Sequence, residues 1–338
     1  MKLAFLAFTE KGFALASSLA QTLGGSVMRC GQPDSLQEWT QKQFAQADGL
    51  VFVGALGIAV RAIAPHIQKK WKDPAVVVVD EGANFSIPLL SGHLGGANQL
   101  ARTVSQICGA VPVVTTATDV NGVFAVDEWA RHQRMQVQNP QNIRIISGKL
   151  LAGRSIQVYS PWPIAGQCPK GVELTQNPTA DVAVSTHKQE ATLLLVPRQV
   201  VLGIGCRRGT PKETIERVLQ CFLQQTGLQM QAVCGVASID LKEDEAGLLA
   251  FCQEHGWTFE TRTAEQLQQV AGEFTPSQFV SHITGVDNVC ERSAVAVSQG
   301  ILQERKFAMD GVTMAAAIKP FSMNWNWTEE NKERENKQ

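Results

Sequence analysis

The sequence is short of several things that would settle a class at once. It has one tyrosine, Tyr159, and no cysteine pair at C-x-x-C spacing among its eight cysteines. Zinc ribbons and thioredoxin-like sites are therefore not indicated, and the thiols read as buried free groups of a reducing cytosol. No H-x-x-x-H pair occurs, which removes the usual helical zinc signature. Lysines and arginines number 30 against 31 acids, a net charge of −1, so bulk attraction to nucleic acid is not expected. No apolar run is long enough to span a bilayer, so no membrane partner is expected. The first apolar run, Leu3 to Phe8, is broken by Glu10-Lys11, too short a core for a signal peptide. The expectation is a soluble cytoplasmic protein.

At 338 residues with 44% apolar content, the chain exceeds one typical core. Residues 1–127 alternate short apolar runs with helical patterns: Leu3 to Phe8, Leu50 to Val53, Val76 to Val79 and Val111 to Val114, with helices over 12–23, 36–47, 58–66 and 95–108. Such alternation predicts an α/β domain with a parallel sheet covered on both faces. Residues 128–198 are punctuated by proline around β-like runs such as Ile143 to Ile146, Ser155 to Tyr159 and Leu193 to Val196, and read as a small β-rich middle domain. A second α/β unit of mainly parallel strands spans 199–322, and the charged 323–338 segment reads as a disordered tail.

The chemistry concentrates in three places. The first runs from Asp80 to Asp119, where polar, titratable and glycine residues gather at expected strand ends, the ligand-binding position of open α/β sheets. Glu81, His93 and Asp119 are its candidate acid–base groups, with Ser91, Gly92, Gly95, Gly96 and Asn98 around the histidine and Thr115 and Thr116 before the aspartate. His93 sits among glycines, so it reads as an exposed imidazole titrating near neutrality. Asp80, Glu81 and His93 are the one set that can converge on a metal, weakly supported by spacing. Glu81 and Asp119 fit equally well as caps or surface acids.

The second is Val53-Gly54-Ala55-Leu56-Gly57, followed by a helix carrying Arg61. It suits either an anion at a helix N-terminus or close helix–sheet packing. The third is Gly203-Ile204-Gly205-Cys206-Arg207-Arg208-Gly209-Thr210-Pro211. Glycines, two arginines and a helix start, with Thr210 as cap and Pro211 in the first turn, read as an anion cradle. Its spacing matches neither the P-loop nor the dinucleotide fingerprint, and a bare tight turn is the alternative. Cys206 beside those arginines would have a lowered pKa, yet no histidine nearby would serve as its base. Glu291 opens a late helix, where it either steadies the dipole or lines a site.

Four stretches together, FVGALGIAVRAIAP, DEGANFSIPLLSGHLGGANQLAR, VLGIGCRRGT and VCERSAVAVSQG, resemble the CbiG family of anaerobic cobalamin biosynthesis, whose C-terminal domain is shared with CobE. The resemblance covers about 1–322 and implies a hydrolase that cleaves a carbon–carbon bond. Its implied substrate is a cobalt-bound corrin precursor whose ring A δ-lactone is opened, with the bridging carbon leaving as acetaldehyde. Neighbouring pathway enzymes are possible partners. Cobalt would arrive inside the substrate, so no cofactor and no protein-held metal is expected. A corrin-binding handover protein without catalysis is the competing reading. The substrate's acid arms suit Arg61, Arg207 and Arg208. On this reading His93 is the expected general base, with Glu81 or Asp119 orienting it or acting as acid, and Thr115, Thr116 and the amides near Gly95 and Gly96 holding the lactone oxygen.

Overall fold

A computed structural model describes residues 1–276 and 285–326. The chain forms two compact units, Met1–Arg131 with Ser147–Arg154, and His132–Ile146 with Ser155 onward.

In the first unit the elements run β1 (Leu3–Ala7), α1 (Glu10–Leu23), β2 (Ser26–Arg29), α2 (Leu36–Gln46), β3 (Gly49–Val53), α3 (Leu56–Ile63), β4 (Ala75–Val79), β5 (Phe85–Leu90), α4 (Ala97–Cys108), β6 (Val111–Pro112), α5 (Ala117–Val120) and α6 (Val126–His132). The sheet order is β2-β1-β3-β4-β5-β6. β1, β3 and β4 are parallel and wholly buried, as their unbroken apolar runs require. Apolar residues of α1 and α4 cover one face of the sheet, while α2 and α3 cover the other. Helix starts follow local chemistry: Thr9 accepts the Gly12 amide, and Ser35 with Glu38 forms a capping box.

β5 was not foreseen, and it changes the geometry. It runs antiparallel to β4, pairing Ser86 with Val79 and Leu90 with Val76. The chain therefore returns to the amino end of β4 before entering the Ser91–Gly96 loop, where the Ser91 hydroxyl donates to the Asp73 carbonyl at 2.9 Å. α4 then crosses back to β6, which lies parallel to β5. β6 is a two-residue edge, and Val111 is exposed, so the expected buried strand over 111–114 is corrected.

The second unit holds β7 (Met135–Val137), α7 (Ile143–Leu151, shared between units), β8 (Ile156–Tyr159), β9 (Ile164–Ala165), β10 (Val172–Thr175), β11 (Val182–Val184) and β12 (Leu193–Pro197). These are followed by β13 (Val200–Cys206), α8 (Lys212–Thr226), β14 (Val233–Ile239), α9 (Ala246–His255), β15 (Thr258–Arg262), α10 (Ala264–Gln268), α11 (Val289–Ser298), β16 (Ile301–Met309), β17 (Val312–Ile318) and β18 (Met323–Asn324). Two five-stranded sheets result, ordered β10-β8-β11-β12-β7 and β15-β14-β13-β17-β16.

Three expectations are revised here. Ile143 to Ile146 opens a helix rather than a strand. The stretch 128–198 is not a separate compact body: Ala183, Leu194 and Val196 share one core with Leu202, Phe222 and Phe251 of the following sheet. The segment from 323 begins ordered, with Met323 and Trp325 buried and β18 paired to β9. Residues 327–338 lie outside the described residues. Among the described residues, no helix is long and apolar enough to cross a membrane. All eight cysteines are free, but only Cys252 and Cys290 are fully buried.

Candidate active site

At the carboxyl ends of β5 and β6 the chain assembles a network of charged side chains. The Ser91–Gly96 loop presents His93, and the Gly96 backbone sits at φ 87°, a left-handed cap that opens α4. The first turns of α4 supply Asn98 and Arg102, α5 supplies Asp119, and α6 supplies Asp127 and Glu128. His93 Nε2 lies 2.7 Å from Asp119 Oδ2, and its Nδ1 lies 3.1 Å from Asp127 Oδ1. Arg102 donates to Asp119 Oδ1 at 2.5 Å. Thr116 and Asn98 donate to Asp119 Oδ2 at 2.6 and 3.1 Å, and Asn98 also donates to Thr116 at 2.7 Å.

A histidine with a carboxylate on each nitrogen must donate from both, so it carries a proton and a positive charge. Burial works against that charge, but the hydrogen bonds to Asp119 and Asp127 and the charges of Asp127 and Glu128 outweigh it and lift His93 to about 10. The expectation of an exposed imidazole titrating near neutrality is thus overturned: its side chain is 10% exposed and clamped. Asp119 responds oppositely. Burial would raise it, yet the bonds from His93, Thr116 and Arg102 hold it well below the usual carboxylate range. Glu128, nearly buried, is raised chiefly by loss of hydration.

His93, Asp119 and Glu128 place ligand-type atoms within 4.8 Å of one another. Four side chains, His93, Asn98, Arg102 and Thr116, meet the Asp119 oxygens and tie the set together as a charged network. The metal set weighed from the sequence is not assembled. Asp80 turns onto its own loop, accepting from the Gly82 and Phe85 amides and from Asn84. Glu81 is exposed and accepts from Thr9 at 2.7 Å. Both stand at the carboxyl end of β4, the opposite end of the sheet from His93.

The other predicted residues divide. Asn98 and Thr116 join the network, Ser91, Gly92, Gly95 and Gly96 belong to the loop that carries His93, and Thr115 is exposed. The Gly96 amide donates to the His93 carbonyl, so it is spent within the loop. Gly54 and Gly57 lie at the far end, and Arg61 folds back onto the Gly57 carbonyl at 3.3 Å. In the second unit, Gly203 permits close packing: a Cβ there would meet the Cys290 carbonyl oxygen at 1.7 Å, and one on Gly205 would meet Thr313 at 2.7 Å.

The loop's free amide at Gly209 is filled from within, by Glu245 at 2.7 Å, and Arg208 pairs with Asp244 at 2.8 Å. The helix begins at Lys212 with Pro211 as its cap, and the Thr210 hydroxyl donates to the Arg207 carbonyl instead of capping. Burial raises the Cys206 thiol, opposite to the lowering read from its arginines. Glu291 is fully buried and accepts from the Thr275 amide and hydroxyl and from the Lys306 amide, a tie between segments.

Residues 38–119 match the family described as Cobalamin synthesis G N-terminal, and residues 200–317 match Cobalamin synthesis G C-terminus. A protein of Salmonella typhimurium named Cobalt-precorrin-5A hydrolase is 33% identical over 344 residues, covering 94% of this chain and 97% of that one. The chain belongs to the CbiG family. A relative of the same name from Priestia megaterium is 32% identical, covering 82% of this chain and 80% of its own. Protein CobE of Sinorhizobium sp is 30% identical over 121 residues, 35% of this chain and 79% of that one.

In this CbiG chain, sequence reasoning missed Arg102, Asp127 and Glu128. Arg102 lies four residues after Asn98, on the same face of α4, and that spacing was the available signal. Asp127-Glu128 reads as the acidic first turn of a helix, and a boundary drawn at 127 hid its link to His93.

Proposed function

We propose that the chain is a cobalt-precorrin-5A hydrolase. It opens the ring A δ-lactone of a cobalt-bound corrin precursor and releases the bridging carbon with its methyl group as acetaldehyde, leaving cobalt-precorrin-5B. The observation that carries this reading is the 33% identity along 94% of the chain to the Salmonella typhimurium hydrolase. The cobalt belongs to the substrate.

The network around His93 suits lactone opening. Attack on an ester carbonyl places negative charge on oxygen, and preorganised cations and donors stabilise it. His93 enters as a cation, held still by Asp119 and Asp127, and Arg102 adds a second cation whose side chain is 37% exposed. Asp119 fixes both. Arg207, exposed beside Gly311, is the arginine of its loop open to an acid arm. The test is anaerobic incubation with cobalt-precorrin-5A and measurement of acetaldehyde. Stoichiometric aldehyde supports the reading; tight binding of the corrin without aldehyde overturns it in favour of handover.

A further inference from the structure

We propose that Glu128 is the group that accepts and returns the proton during lactone opening, a role that rests on the hydrolase reading above. The network holds three carboxylates, and two are occupied. Asp119 accepts from His93, Asn98, Thr116 and Arg102. Asp127 takes His93 Nδ1 and the Glu128 amide. Glu128 differs: it is 6% exposed, and among the described residues its carboxyl accepts no hydrogen bond. Arg102 is an ion-pair partner, its Nη1 4.0 Å away, and Arg131 is a second cation acting on it.

A carboxylate that keeps little contact with water is relieved by a proton more than one fixed by several donors. Burial raises its pKa and the Asp119 charge adds to this, while His93, Arg102 and Arg131 pull the other way. Asp127 precedes it on α6. His93 cannot take this part, because it already holds its proton on both sides. The Glu128 side chain keeps 7% exposure and the Arg102 side chain beside it 37%.

The step balances without a co-reactant. Ionised Glu128 takes a proton from water as the water oxygen bonds to the lactone carbonyl carbon, and the carbonyl π pair moves to its oxygen, facing His93 and Arg102. On collapse the acyl carbon–oxygen bond breaks and its electron pair stays on the departing ring oxygen. That oxygen takes the proton back from Glu128.

The test is Glu128→Gln, which keeps the shape and removes the titration. Acetaldehyde release from cobalt-precorrin-5A is expected to fall about 100-fold or more in kcat, the range of lost acid–base catalysis, with KM within about threefold. The acid limb of the wild-type pH profile should disappear, and Glu128→Asp should recover part of the rate. A Glu128→Gln enzyme within about tenfold of wild type, with the acid limb intact, overturns the proposal. Should Glu128→Gln not fold, Glu128→Asp decides, because an unchanged rate and profile there also overturns it. In wild type, ¹³C carboxyl titration should show a glutamate titrating above its ordinary 4.5, and its absence counts against the assignment. A wild-type enzyme that binds the corrin yet yields no aldehyde instead removes the hydrolase reading and this role with it.

Discussion

At the scale of residues, the molecule stakes much on one ion-pair network. Asp119→Ala would take one of its two carboxylates from buried, protonated His93, and removing one partner of a buried pair costs up to about 3–5 kcal/mol; urea unfolding will show it. The pH dependence has a definite sign. His93 is raised from 6.5 to about 10, so its contribution is full below about 6.5 and fades as pH climbs toward 10. Asp119 is lowered from 3.8, so its contribution is present above that value and is lost only as the solution becomes strongly acidic. Unfolding free energy should therefore decline between pH 6.5 and 10, and His93→Asn should flatten that slope. The pairing of His93 with Asp119 was legible because both sit in one glycine-rich stretch. The charge state was not: it depends on Asp127 and Glu128, 34 and 35 positions away, which sequence spacing does not bring to the imidazole.

At the scale of elements, the buried parallel strands announced themselves as unbroken apolar runs, whereas β5 did not. Its sequence, FSIPLL, carries Pro88 and only a loose alternation, and proline argues against an internal strand. Missing it placed Glu81 and His93 at one strand end when they stand at two. The glycine loop after β13 misled for another reason. Glycine is used where a ligand approaches and also where helix meets sheet, and only the Cys290 contact separates the cases. Gly203→Ala should cost about 1–3 kcal/mol or more through overpacking of α11 on β13, enough to abolish soluble expression in a marginal background. Gly209→Ala, at φ 73° with open space around it, should cost only about 1–2 kcal/mol from left-handed strain. Thermal melting of the pair ranks them.

At the scale of the whole chain, the two α/β regions were visible in the rhythm of strands and helices, but the independence expected of the middle segment was not realised. Proline-rich punctuation marks loops; it does not reveal which core the intervening strands fill. Leu194 on β12 belongs to the same core as Phe222 and Phe251, so Leu194→Ala should cost about 2–5 kcal/mol. It should move the same unfolding transition as Phe222→Ala, seen as coincident shifts in circular dichroism and tryptophan fluorescence. The reversal made by β5 also has a thermodynamic corollary. β4 is five residues long, about 16 Å at 3.3 Å per residue, and it stands between Glu81 and the His93 network. Perturbations that far apart, sharing no partner, are energetically independent. A double-mutant cycle pairing Glu81→Ala with Asp119→Ala will therefore return a coupling energy near zero, the sheet acting as an insulator between its two ends.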